Sequence, residues 1–153
     1  MVDYEVNEQT LAIIPARRGL KSRVYEIGSS FVVDKSPNRI MEESCEYFGS
    51  SLLGRQKGTT NLIGVSHKAP IIVEETKELI FFPTSSPRAD KCAWVSLKGI
   101  SKYYSEKNKI FIEFKDKRKV AMPASYGVID NQILRATRLE SVLRERKKIM
   151  NFK

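Results

Sequence analysis

Short apolar segments separated by turns occupy the first third of the chain. Residues 10–14, 24–27 and 31–33 are mostly apolar, and the segments Arg17-Arg18-Gly19 and Gly28-Ser29-Ser30 lie between them. Segments of this length between glycine-containing turns are typical of β-hairpins. We therefore expect the chain to begin with three antiparallel strands.

A helix is predicted to begin after Ser36. Serine is a good N-cap, and Pro37 suits the first helical turn. The apolar residues that follow at near-helical intervals are Ile40, Cys45, Phe48 and Leu52. Because a glycine costs about 1 kcal/mol in a helix interior, this helix should end near Gly54 unless packing holds it.

The second half of the chain repeats the strand pattern and closes with a helix. The predicted strands are 70–73 and 79–83 around a charged turn, 93–97, and 110–114 and 120–122 around the basic turn 115–119. Residues 131–150 have helical spacing of apolar positions among many charges. The predicted fold class is α+β, with mostly antiparallel sheet, one internal helix and one C-terminal helix. The length of 153 residues suits a single domain spanning 1–153.

The charge of the chain is concentrated in its second half. The net charge is +9; residues 1–76 carry 9 basic and 10 acidic side chains, whereas residues 77–153 carry 18 and 8. A basic surface of this kind favours a polyanionic partner such as a nucleic acid, although ribosome-associated and lipid-surface proteins share it.

Signals for export and for membrane insertion are missing from the sequence. No run of about eighteen apolar residues occurs, and the N-terminal residues Met1 to Glu5 lack a basic start and an apolar segment. We expect a cytoplasmic protein without a membrane span. In that setting Cys45 and Cys92 should be free, buried thiols.

Motifs for enzymatic chemistry fail at their decisive positions. Residues 49–56 have the glycine spacing of a phosphate-binding loop, but Arg55 and Gln56 stand where lysine and serine or threonine are required. One histidine, His67, and two distant cysteines are too few for a zinc centre or a nucleophilic triad. We expect neither an enzyme nor a bound cofactor or metal.

Four aromatic residues in predicted strands have two alternative roles. Trp94, Phe81, Phe82 and Phe111 could stack on unpaired bases. Aromatic residues in strands more often cover the inner face of a sheet, so core packing is the favoured interpretation.

Several separated motifs resemble a known family. They are Ser44-Cys45-Glu46-Tyr47-Phe48-Gly49-Ser50-Ser51, Gly54-Arg55, Gly58-Thr59, Ser66-His67-Lys68-Ala69-Pro70-Ile71, Phe82-Pro83-Thr84 and Cys92-Ala93-Trp94-Val95-Ser96. Ser125-Tyr126, Asn131-Gln132 and Arg135-Ala136-Thr137 follow in the expected order. Together they resemble the competence transcription factor family of the ComK type.

This resemblance implies a transcription activator of genetic competence that needs no cofactor. Family members bind paired A-tract and T-tract boxes as dimers that associate in pairs, mainly through the minor groove. Double-stranded A/T-rich DNA and a second copy of the chain are thus the expected partners, and contact with RNA polymerase stays open. Family members extend past the terminal helix into a tail, which an adaptor protein binds in order to deliver the activator to a protease. This sequence ends at Lys153, which leaves such control open.

The candidate DNA-binding residues are cations beside these motifs. Arg55 and Lys57 come first, because Gly54 and Gly58 flank them in a predicted turn. The others lie in predicted loops or in the last matching segment: Lys68, Arg88, Lys91 and Arg135. Residues 115–119 and the basic end of the C-terminal helix are expected to supply general attraction.

Two alternatives to a sequence-selective activator remain. A non-specific nucleic-acid-binding or RNA-binding accessory protein would use the same basic half and would prefer single strands or ignore A-tracts. A protein-interaction module would tolerate charge reversal at Arg55 and Lys57.

Overall fold

The computed structural model describes residues 4–151, and this part of the chain contains two antiparallel sheets and three α-helices. The strands are β1 (Thr10–Ala16), β2 (Lys21–Glu26), β3 (Ser29–Val33), β4 (Ile71–Glu74), β5 (Leu79–Pro83), β6 (Trp94–Ser96), β7 (Ile100–Glu106), β8 (Lys109–Phe114) and β9 (Lys119–Met122). The helices are α1 (Pro37–Tyr47), α2 (Leu52–Ile63) and α3 (Tyr126–Asn151). The predicted α+β fold with mostly antiparallel sheet is confirmed. The chain ends considered above, residues 1–3 and 152–153, lie outside the described residues.

The large sheet has the strand order β3-β2-β1-β6-β5-β4 and lies between two apolar cores. Successive strand residues point to opposite faces, and so Phe81 belongs to the core beneath α1 whereas Phe82 belongs to the core shared with the small sheet and α3. Burial on both faces explains why β5 is apolar along its whole length.

The small sheet has the order β7-β8-β9. Its inner face contributes Ile112, Phe114 and Val120 to the core that also holds Ile129 and Leu139 of α3. Strand β7 was not predicted. Its burial does not alternate and all of its residues are exposed or half-buried, so it has no apolar run that would reveal a strand.

Two internal helices replace the one that was predicted. Ser36 caps α1 as expected, since its Oγ accepts a hydrogen bond from the Arg39 N–H at 3.2 Å. The helix then ends at Tyr47, and Gly49 adopts φ +86°, a left-handed conformation that suits glycine. Ser51 starts α2 by accepting a hydrogen bond from the Gly54 N–H at 2.9 Å.

The core roles predicted for several residues are confirmed. Trp94, Phe81 and Phe82 are fully buried, and both cysteines are free and buried. Burial raises the pKa of the Cys45 thiol to about 11. Phe111 differs, because it is half-buried on the face of β8 opposite to the core residues Ile110 and Ile112.

Candidate nucleic-acid interface

Three adjoining depressions form one groove, here named the basic groove. The first lies between α1, α2 and the loop 84–93, and the second lies between α2, that loop and the loop 64–70. These two share Gln56, Ser86 and Pro87. The third lies between the loop 64–70 and the first turns of α3, and it shares Lys68 with the second.

The groove brings together three of the six predicted cations. Arg88 lines the first depression, Lys68 the second and third, and Arg135 the third. They come from three separate segments of the chain, so folding is required to assemble them. Lys91 is exposed in the same loop as Arg88, but it is not a lining residue of these depressions.

Arg55 and Lys57 do not form the glycine-flanked turn that was predicted. Both lie in α2, where positions two residues apart point about 200° away from each other. Arg55 Nη1 lies 3.9 Å from the Glu75 carboxylate, and the Arg55 side chain is only 22% exposed. Gln56 lies between the two and lines the groove. Arg55 therefore faces the β4–β5 turn, and Lys57 is a separate, exposed cation.

A buried side chain of α3 holds the loop that carries Lys68. Gln132 is 1% exposed, and its Nε2 donates hydrogen bonds to the backbone oxygens of Lys68 and Pro83, both at 2.7 Å. Arg135 Nη1 donates to the His67 backbone oxygen at 3.1 Å and to Gln132 Oε1 at 3.3 Å. The loop, the end of β5 and α3 are thus joined at one point.

The third depression has the chemistry of an anion site. It is lined by Lys68, Ser125, Gly127, Val128, Asn131, Gln132 and Arg135, a set with two cations and no carboxylate. The N-terminus of α3 lies in it, with Ser125 Oγ accepting a hydrogen bond from the Val128 N–H at 3.2 Å. A helix N-terminus carries a partial positive charge and favours phosphate groups. Gly127 leaves its backbone open on this side, since an added Cβ would meet nothing within 4 Å.

The first depression is electrostatically mixed. Glu42 and Glu46 of α1 line it together with Arg88. Carboxylates beside a cation reduce its attraction for phosphate. The Lys68–Arg135 end is therefore the better anion site within the groove.

Three contributors to this region were not among the predicted site residues. Gln56 and His67 line the second depression. The turn that contains Arg17 packs against the loop 84–93, where a Cβ on Gly19 would lie 2.7 Å from the Asp90 backbone oxygen. The Arg-Arg-Gly sequence was a signal for a tight turn, but nothing in it indicated which loop the turn contacts.

One cation of the basic β8–β9 turn, Arg118, is held by contacts within the protein. Arg118 donates to the backbone oxygens of Ser29, at 2.9 Å, and of Glu26, and it ion-pairs with Asp116 at 2.7 Å. Asp116 in turn accepts a hydrogen bond from the Gly28 N–H at 3.1 Å. Burial raises the pKa of Asp116, but the hydrogen bonds from Arg118 and Gly28 outweigh it and lower the pKa overall. Arg118 therefore links the two sheets, whereas Lys115, Lys117 and Lys119 are exposed.

Residues 4–151 contain neither a cluster of metal ligands nor a membrane-spanning helix. No group of three or more His, Cys, Asp or Glu side chains there could hold a metal ion. No helix in the same range is long and apolar enough to cross a membrane.

Comparison with known proteins gives two matches. The family model described as ComK protein matches residues 1–148. The protein named "Competence transcription factor" of Bacillus subtilis (strain 168) is 32% identical over 146 residues, which cover 94% of this chain and 76% of that relative. No solved structure matches the chain.

Proposed function

The chain belongs to the ComK family, and we propose that it activates competence genes by binding A/T-rich duplex DNA through the minor groove. A regulator of this kind acts by occupying DNA and not by catalysis. The observation that carries the proposal is the convergence of Lys68, Arg135 and the N-terminus of α3 in a depression lined by no carboxylate.

The two cations suit different parts of a duplex. In the hydrogen bonds described above, Arg135 uses only its Nη1 atom to hold the loop 64–70. A guanidinium has five N–H donors, so Arg135 can also donate to a phosphate. Lys68 is exposed at the tip of that loop. A narrow A-tract minor groove concentrates negative potential and attracts an inserted lysine or arginine without base-specific hydrogen bonds. Arg135 and α3 would then set the position of the protein, and Lys68 would read groove width.

The other predicted cations act in support. Arg88 lies at the far end of the same groove, with Lys91 beside it in the loop. Lys57 is exposed on α2. Contacts of such residues with phosphates add affinity that is independent of sequence. Arg55 is held near Glu75 and contributes least.

We also propose that the chain binds DNA as a homodimer. Strand β3 is an edge of the large sheet, and edge strands offer unpaired backbone groups to a second chain. Three exposed apolar residues lie in or next to the β2–β3 hairpin: Leu20, Ile27 and Val32, which are 73%, 48% and 51% exposed.

Sedimentation equilibrium of the variant Val32→Lys tests this surface. The variant should be monomeric at a concentration at which the wild type is a dimer, because a charge would be buried in the interface. An unchanged dimer would place the interface elsewhere.

Competition binding tests the DNA proposal. A labelled duplex with two spaced A-tracts should bind more tightly than a G·C-only duplex of equal length at physiological salt, and a minor-groove ligand should displace the protein. Lys68→Glu and Arg135→Glu should weaken binding strongly, whereas Arg55→Gln should have a small effect. Equal affinity for the two duplexes, or full binding by both charge-reversed variants, would show the proposal to be wrong.

A further inference from the structure

The outer face of the small sheet carries an aromatic row. Strand register places Tyr104 opposite Phe111 and Phe111 opposite Ala121, so these three residues form one row across β7, β8 and β9. The rings of Tyr104 and Phe111 have their centres 6.0 Å apart and planes inclined by 27°. Both rings are half-buried and Ala121 is exposed. We name this row the aromatic platform.

The platform is not part of either core. The apolar residues of the small sheet that belong to the core are Ile110, Ile112, Phe114, Val120 and Met122. In β8 and β9 these alternate with the platform residues, and alternating strand residues point to opposite faces. The two aromatic rings are therefore on a solvent-facing surface, where packing within the described chain does not require them.

Lysines surround the platform on both sides. Lys102 and Lys119 lie in the row on one side, opposite Glu113. On the other side Lys109 pairs with Glu106, and Lys107 lies in the β7–β8 turn. The Lys119 ammonium is 5.8 Å from the centre of the Tyr104 ring, and the Lys102 side chain is 65% exposed. Four lysines against two glutamates leave this face positively charged.

We propose that the aromatic platform binds single-stranded nucleic acid at a site separate from the basic groove. Unpaired bases stack on aromatic side chains, and the flanking phosphates are neutralised by nearby cations. A duplex cannot use this surface in the same way, because its bases are already stacked and paired. An activator with both surfaces could hold a duplex box and an unpaired segment together.

An acidic peptide is the competing occupant of such a surface. It would be attracted by the four lysines, but it has no need of exposed ring faces. Removing the rings should therefore weaken the binding of single-stranded nucleic acid but not that of an acidic peptide, whereas removing the charge should weaken the binding of both. Single-stranded nucleic acid requires both features.

Fluorescence anisotropy with a labelled oligothymidylate of about 12 nucleotides tests the proposal. Tyr104→Thr and Phe111→Thr keep a residue that favours strands and should each weaken binding about 5- to 100-fold. Tyr47→Ala is the matched aromatic control, since Tyr47 is 67% exposed on α1. Lys109→Glu should weaken binding more than Lys148→Glu, which makes the same charge change on α3.

The outcomes decide between the two sites. The platform variants should keep their affinity for A-tract duplex, and Lys68→Glu should lose the duplex but keep the oligothymidylate. Folding is checked by thermal melting, and Lys109→Glu alters an exposed side chain, so it remains informative if a ring variant unfolds. The proposal would be overturned if folded ring variants bound the oligothymidylate as tightly as the wild type does. It would also be overturned if these variants lost affinity for duplex and for single strand equally, or if polyglutamate of equal charge displaced the oligothymidylate.

Discussion

Lys68 has a backbone conformation that a lysine adopts at a cost. Its φ is +50°, in the left-handed region, where residues with a Cβ lose about 1–2 kcal/mol relative to glycine. Such strain persists only where the surroundings enforce it. Here the hydrogen bond from buried Gln132 to the Lys68 backbone oxygen holds the left-handed conformation. In this conformation the lysine side chain is exposed beside the α3 N-terminus.

Lys68→Gly separates the folding role of this residue from its binding role. Glycine relieves the left-handed strain but loses more entropy on folding, so the free energy of unfolding should stay the same or rise by up to about 1 kcal/mol. Affinity for A-tract duplex should fall about 5- to 10-fold, because a cation is lost. Urea unfolding and anisotropy measure the two effects. A stable variant that binds like wild type would remove Lys68 from the interface.

At the scale of elements, α2 shows where sequence reasoning succeeds and fails. Ser36, Pro37 and the apolar spacing correctly predicted the start of a helix. The helix was then expected to end near Gly54, but the break is at Gly49 and Ser51 starts a new helix. A Cβ on Gly54 would lie 3.0 Å from Ser51 Oγ, so this glycine fits the close approach of a cap and not a turn. Placing Arg55 and Lys57 in a turn was the direct consequence.

The groove itself could be predicted only in part. Lys68, Arg88 and Arg135 were found because they lie beside recognisable motifs, but their assembly depends on contacts between segments 20 or more residues apart in sequence. Gln132 was noticed only as part of a motif. Its two hydrogen bonds to Lys68 and Pro83 are long-range contacts that local patterns do not encode.

The C-terminal half of α3 is tied to the β4–β5 turn by charge. Arg144 donates to both carboxylate oxygens of Glu78 at 2.8 Å, and Lys147 donates to the Glu75 backbone oxygen at 2.8 Å. The hydrogen bond from Arg144 lowers the pKa of Glu78. A carboxylate whose pKa is lowered by folding adds stability above its unfolded pKa, about 4.3, and loses it as pH falls through the lower folded value.

Glu78→Gln should therefore reduce stability at about pH 7, and the reduction should become smaller as pH falls below about 4. The reduction should be small, since the pair is partly exposed and screened by salt. Thermal melts of wild type and variant across this pH range measure the difference. Glu145→Gln on the exposed side of α3 is the control. A difference in melting temperature that persists at low pH would contradict the assignment to this ion pair.

At the scale of the whole molecule, two of the positively charged surfaces have different neighbours. The basic groove joins α2, α3 and two loops of the large sheet, whereas the lysines of the small sheet surround the aromatic platform. Acidic side chains are more frequent in the first half of the chain, and two of them, Glu42 and Glu46, reach the groove near Arg88. The net charge alone therefore does not indicate how many phosphates a duplex would contact.

Salt dependence counts those contacts directly. For duplex DNA the slope of log K against log salt is about −0.9 for each neutralised phosphate. Lys68→Gln and Arg135→Gln should each make the slope shallower by about 0.9. Lys148→Gln should leave it unchanged, because Lys148 is about 30 Å along α3 from Gly127, roughly three Debye lengths at 0.1 M salt. If Lys148→Gln changed the slope as much as Lys68→Gln, the duplex would be held by diffuse attraction across the basic half, and the groove would have no special part in binding.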